Sequence, residues 1–251
     1  MTLRSHEVGE VVVLTIDRAD RRNALDLEVI GALDDALASM AEGDAPAAVI
    51  LAGDGPTFSA GLDMAVFASF AQGDDTEIEA VIDRSAGLIE RLTAMPCLTV
   101  AAVQGVAAGP SMAIALACDL RLVTESAKFV PGFFRFGGTP DGGVSAMLVR
   151  AVGLSRAISA SVTDRPLRAA ELVQLGLAER SAPDTDLVDA AVELAVSVGR
   201  RPPDAWPRLR SVLSAAATNE LGPQLDLERE TAKRLIGDDG FRQTIAALVT
   251  R

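Results

Sequence analysis

Three short segments carry residue types that could do chemistry. Phe58-Ser59-Ala60-Gly61-Leu62-Asp63 is a run of mostly small residues ending in a carboxylate. Small residues let the backbone approach a ligand closely, with N–H groups left to donate. Gln104-Gly105-Val106-Ala107-Ala108-Gly109-Pro110-Ser111-Met112 reads as a tight turn entering a helix. A helix N-terminus offers unpaired N–H groups and partial positive charge, which suit an oxyanion. Gly137-Gly138-Thr139-Pro140-Asp141-Gly142-Gly143 is a turn holding one carboxylate. Two backbone donors and one carboxylate suffice to polarise a thioester carbonyl and move a proton beside it.

The elements that must hold these segments alternate. Val11 to Ile16 is a β-branched run that reads as a strand. Asn23 is placed to cap a helix from about Leu25 to Met40, with Leu25, Val29, Leu33 and Leu37 at helical spacing. Ala48 to Ala52 reads as a short buried strand, followed by a turn at Gly53-Asp54-Gly55-Pro56. A helix is predicted from Ile78 to Leu92, stopped by Met95-Pro96, then a strand from Leu98 to Val103. A helix from Ser111 to Ala117 and a strand from Leu120 to Val123 follow. Strand and helix in alternation imply an α/β domain with mostly parallel pairing. After about Leu167 the strand signal stops, and helical patterns cover Ala169–Leu175, Leu187–Val198, Pro207–Ala217 and Leu225–Ile236. The expected division is a core over 1–184 and a helical region over 185–251.

Composition removes several classes of function. The chain has 251 residues and a net charge of −12, and such an acidic surface repels nucleic acid and anionic membrane. The basic residues are almost all arginine, with lysine only at Lys128 and Lys233; the arginine fork suits a locally bound phosphate. Cys97 and Cys118 form neither a redox motif nor metal-ligand spacing, so a reduced cytoplasmic setting and no metal are expected. No signal peptide is read at the N-terminus. The most apolar run, Leu98 to Cys118, is interrupted by Gly105, Gly109 and Pro110, so no membrane span is expected.

Taken in order, these pieces resemble the enoyl-CoA hydratase/isomerase (crotonase) family. The likeness runs through Arg22-Asn23-Ala24-Leu25, the Phe58–Asp63 loop, Met95-Pro96 and Ala101 to Asp119. It continues through Pro140-Asp141-Gly142-Gly143, Leu148 to Arg156 and Thr163 to Leu177. The resemblance implies a spiral of ββα units with a C-terminal helical trimerisation region, hence a homotrimer or hexamer. It implies an acyl-CoA thioester as substrate and no cofactor beyond that CoA. At the family's oxyanion-hole positions stand Leu62 and Pro110. CoA contacts fall on Arg22, Ala24, Ala60, Leu62, Asp63 and Met64, and the acyl pocket is expected largely within residues 65 to 90.

Two departures direct the expected chemistry. The two glutamates that hydratases of this family use correspond to Ala113 and Phe133, and neither can transfer a proton. Isomerases of the family often carry one acid at the position of Asp141, enough to take a proton from C2 and return it at C4. An enoyl-CoA isomerase is therefore expected, with Phe133, Phe134 and Phe136 as an apolar pocket floor. Proline has no N–H, so Pro110 cannot donate; Gly109 or Ser111 could substitute only if the turn shifts. The alternative is a family member with weak or no activity that binds acyl-CoA. A serine hydrolase using Ser111 would need the sole histidine, His6, which is distant in sequence. Asp141 also suits a plain surface turn. Asp119 reads as structural, and Asp63 as a cap or orienter of its loop.

Overall fold

The computed structural model describes residues 2–43, 45–183, 185–199 and 205–249. Its main sheet has six strands in the order β1-β2-β3-β4-β6-β9. These are β1 (Leu3–Val8), β2 (Val11–Ile16), β3 (Ala48–Gly53), β4 (Leu98–Val103), β6 (Leu120–Thr124) and β9 (Arg180–Ala182). The β1–β2 pair is an antiparallel hairpin, and every later pairing in this sheet is parallel. Every residue of β3 and β4 is buried. That is why both read as continuous apolar runs without alternation. A small second sheet joins β5 (Val106–Ala108), β7 (Lys128–Val130) and β8 (Leu167–Arg168).

The crossovers of the first part are α1 (Leu27–Glu42), α2 (Met64–Ala71), α3 (Thr76–Ala94) and α4 (Pro110–Ala117). Then come α5 (Val144–Val152), α6 (Leu154–Thr163), α7 (Ala169–Gln174) and α8 (Leu187–Gly199). The apolar face of α1, with Val29, Ile30, Leu33 and Leu37 fully buried, packs beside α3. The expected helix near residue 25 is present, but its cap differs. Asp26 caps it, its carboxylate accepting from the Val29 N–H at 3.0 Å. Asn23 instead has left-handed backbone (φ 54°) and a fully buried side chain. Its amide donates to Asp54 O and Thr57 O and its oxygen accepts from the Arg18 N–H. It ties three loops together.

A strand also appears beyond Leu167, where none was expected: β9 extends the main sheet on the edge of β6. Three residues are too short a run to register as a strand pattern, and the sheet edge beside them supplies the pairing. Two compact units divide the chain, Met1–Val196 and Ser197–Arg251. The first therefore runs past the expected boundary at 184, since Leu187, Ala191 and Ala195 of α8 are buried. The second unit contains α9 (Ala205–Ala216), α10 (Leu221–Ile236) and α11 (Asp239–Val249). Among the described residues no helix is long and apolar enough to cross a membrane.

Candidate active site

The site grows from one glycine. Gly61 has φ 91°, and a Cβ added there would stand 2.6 Å from the Ala108 carbonyl oxygen. Only glycine lets the Ala60–Leu62 loop lie directly against the end of β5. The neighbouring backbone then becomes fixed. The Leu25 N–H donates to Gly61 O and the Asp63 N–H to Leu25 O, both at 2.8 Å. The Gly61 N–H donates to Ser59 Oγ, and the Ala60 N–H to Arg22 O. In this run the Leu62 N–H meets no acceptor among the described residues.

An ion-pair cluster locks the same loop from behind. Asp63 caps α2 by accepting from the Ala65 N–H at 3.0 Å. Its other oxygen accepts from Arg18 and Arg21, each at 3.2 Å. The Ala65 N–H, with Arg21 and Arg18, holds this carboxyl below the usual range against the opposing effect of its burial. Arg18 also donates to Asp26 at 2.7 Å and to Ala24 O at 2.9 Å. Asp63 was expected to contact CoA, yet its carboxylate is committed to these protein partners; the expectation that it orients its loop describes what it does. Arg18 was missed, because nothing in its sequence surroundings separates it from Arg21 and Arg22. Arg22 is exposed, with left-handed backbone (φ 52°) and no side-chain partner among the described residues.

Opposite this loop stands the entry to α4. Gly109 (φ 51°) precedes it, and Pro110 is its first residue. The Gly109 N–H already donates to Val130 O at 3.0 Å, which seals β5 to β7. Gly109 is thus not a substitute for the donor that Pro110 lacks. Nor is Ser111 open to the site. It is fully buried, its Oγ accepting from the Ala108 N–H at 2.8 Å and lying 3.0 Å from Ser59 O. That also removes the hydrolase reading, with His6 out on β1 opposite Val13. Asp119 is structural: one oxygen accepts from both the N–H and the hydroxyl of Thr99.

Between the two walls lies an apolar cavity of about 360 Å³. Leu62, Gly109, Pro110, Phe133, Phe136 and Asp141 all line it, and so do Ala60 and Met64. Arg22, Ala24 and Asp63 do not; Ala24 is buried in the fold. Phe134 is not in the lining either, contrary to its expected place in the floor. Phe67 and Ile82, from α2 and α3, supply that side, within the expected segment 65 to 90. The Phe67 and Phe136 rings stand 5.7 Å apart in tilted contact.

Asp141 is the one carboxylate among the lining residues. Gly142 and Gly143, both at positive φ, turn the chain sharply after it into α5. The residue is exposed to solvent, yet partial desolvation of its carboxyl raises its pKa above the ordinary aspartate value. Ala113 lies beneath this turn, 1% exposed, and a Cβ on Gly142 would approach its Cβ to 3.1 Å. Ala113 thus packs directly against this turn and offers no group that could transfer a proton. Among the described residues no cluster of three or more potential metal ligands occurs.

Fold and site together define a class. The enoyl-CoA hydratase/isomerase family model matches residues 6–251, and the chain belongs to that family. It is 30% identical over 249 residues to the 1,2-epoxyphenylacetyl-CoA isomerase of Escherichia coli K12, covering 98% of this chain and 95% of that one. It is also 30% identical over 248 residues to a Rhodobacter capsulatus protein named as a probable enoyl-CoA hydratase, covering 98% and 94%. Among solved structures, an enoyl-CoA hydratase from Polaromonas sp. JS666 superposes with a TM-score of 0.92 at 28% identity, covering 99% of this chain and 96% of that one. The architecture is thus the crotonase-type ββα spiral followed by a helical C-terminal region.

Proposed function

We propose that this protein is an enoyl-CoA isomerase that shifts a double bond along an acyl-CoA thioester, with Asp141 as the proton carrier. The observation that carries this is that Asp141 is the one carboxylate among the residues lining a mainly apolar cavity. Asp141 removes a proton from C2 of a 3-enoyl thioester, the electron pair moves into a dienolate, and the same proton returns at C4. The Leu62 N–H is the donor available to the developing oxyanion. Raising the Asp141 pKa toward the working pH strengthens it as a base while leaving it able to give the proton back. Hydration is disfavoured because neither Ala113 nor Phe133 can transfer a proton. The test is a 3-enoyl-CoA incubated in deuterated water. The wild type forms the 2-enoyl product at a rate that Asp141→Asn lowers by about 10²–10⁴; equal rates would remove Asp141 from the mechanism.

A second reading follows from Pro110 and from the committed Gly109 N–H. With a single oxyanion donor the chain binds acyl-CoA and turns it over weakly or not at all. CoA esters would then raise the Tm while a panel of enoyl-CoA substrates stays unchanged. We also propose a homotrimer or hexamer, on the support of the apolar row Leu154, Ile158 and Val162 exposed along α6. A monomer in light scattering at micromolar concentration would remove that.

A further inference from the structure

One cation shares the cavity wall with Asp141. Arg135 is the only basic residue among those lining it, and it sits between Phe133 and Phe136. Its backbone N–H donates to Asp164 Oδ2 at 2.8 Å, and its Nε lies 3.4 Å from the same oxygen. Asp164 occurs at the end of α6 with left-handed backbone (φ 48°), and its side chain is only 12% exposed. The carboxylate is therefore a fixed post. It holds Arg135 by its backbone and by the root of the guanidinium. Both terminal nitrogens of the fork have no partner among the described residues, and the side chain is 51% exposed.

A solvated surface arginine would account for the exposure, but not for this double tether. Nor would it account for a guanidinium set into the rim of a cavity walled by three phenylalanines. A completed ion pair would use the terminal nitrogens, whereas here they remain open. Guanidinium forks pair with planar oxyanions through two parallel hydrogen bonds. Arg135 and Asp141 belong to the same stretch of chain and line the same cavity as the Ala60–Met64 loop. An acyl group that fills this cavity can therefore bring a carboxylate to Arg135.

We propose that Arg135, positioned by Asp164, selects acyl-CoA substrates whose acyl group carries a carboxylate away from the thioester. This rests on the acyl-CoA reading above and names its substrate class. Arg135 is a specificity residue that touches substrate, and Asp164 is a positioning residue acting through it.

Binding tests this without turnover. Calorimetry compares a saturated straight-chain acyl-CoA with its ω-carboxy counterpart of equal length. The wild type favours the ω-carboxy ligand by about tenfold or more, the usual worth of a charge-assisted hydrogen-bond pair. Arg135→Met collapses that ratio toward one, and Asp164→Asn, which keeps the left-handed cap, lowers it in part. Equal wild-type affinities for the two ligands overturn the proposal. So does a fall of both ligands together in Arg135→Met, which would mean that the arginine reads the CoA phosphates. Failure of both ligands to bind at all would instead sink the acyl-CoA reading itself. Unchanged Tm values confirm that each variant is folded.

Discussion

The two walls of the cavity are built differently. The Ala60–Asp63 wall is a loop held from behind by Arg18, Arg21 and Asp26 through Asp63, and it leaves the Leu62 N–H unpaired. The Ala108–Pro110 wall is a helix entry whose first residue cannot donate and whose preceding N–H is consumed by Val130. Rigidity is present on both sides, but donor capacity on only one. A polar cluster outside the cavity can fix a backbone N–H toward it, whereas no packing restores a proton that proline lacks. In the proposed isomerisation the acid–base side falls on Asp141, from a third segment.

Substitutions on either wall sharpen this contrast. The largest effect is expected from Ala113→Glu. The added carboxylate enters the core beneath Gly142, so stability falls by about 3–5 kcal/mol from overpacking and an unpaired buried charge, read as a denaturant midpoint. A stable variant that hydrates 2-enoyl-CoA would show that the Gly142 turn yields. Next is Pro110→Ala, which supplies the missing N–H. Isomerisation kcat should rise by up to about 10²-fold, within the worth of one oxyanion donor; an unchanged kcat would mean that this position does not face the oxyanion.

Asp63→Asn probes the other wall. It removes the charge that Arg18 and Arg21 share, and stability should fall by about 1–3 kcal/mol, measured by thermal unfolding, with KM rising as the loop loosens. The sign with pH follows from the lowered pKa of Asp63. The stabilisation is complete above the unfolded value near 3.8 and disappears as pH falls through the lower folded value. Asp141 behaves oppositely. Its pKa is raised, so its neutral form favours the fold below 3.8, and that contribution is lost as pH climbs through the higher folded value. The smallest expected effect is thus a slight gain in neutral-pH stability for Asp141→Asn. The kcat/KM profile of the wild type should have an acid limb above the ordinary aspartate value; a limb at or below 3.8 would contradict the desolvation of Asp141.

Much of the fold was legible because its long elements are strongly patterned. β2, β3 and β4 are nearly continuous apolar runs and α1 and α3 are apolar at helical spacing, so burial and chemistry speak together. The loops Phe58–Asp63 and Gly137–Gly143 were legible because glycine and proline punctuate them. Asn23 misled as a cap, since an asparagine before an apolar run fits both a cap and a left-handed tie between loops; Asp26 three residues later won the cap by accepting from Val29. β9 was invisible because its pairing comes from the sheet edge and not from its own three residues.

By itself the sequence determined the alternation of strands and helices, the small-residue loop, the lone aspartate in its turn and the absence of an N–H at Pro110. These are properties of residue type and near neighbours. Tertiary structure alone decided which donors remain open. The Gly109 N–H is spent because β7 lies beside it, and Ser111 is closed because Ser59 comes within reach. Ala113 packs against Gly142, and Arg135 is tethered to Asp164. Each depends on atoms brought together from distant positions, and a hydrogen bond or a steric block exists only when both partners arrive.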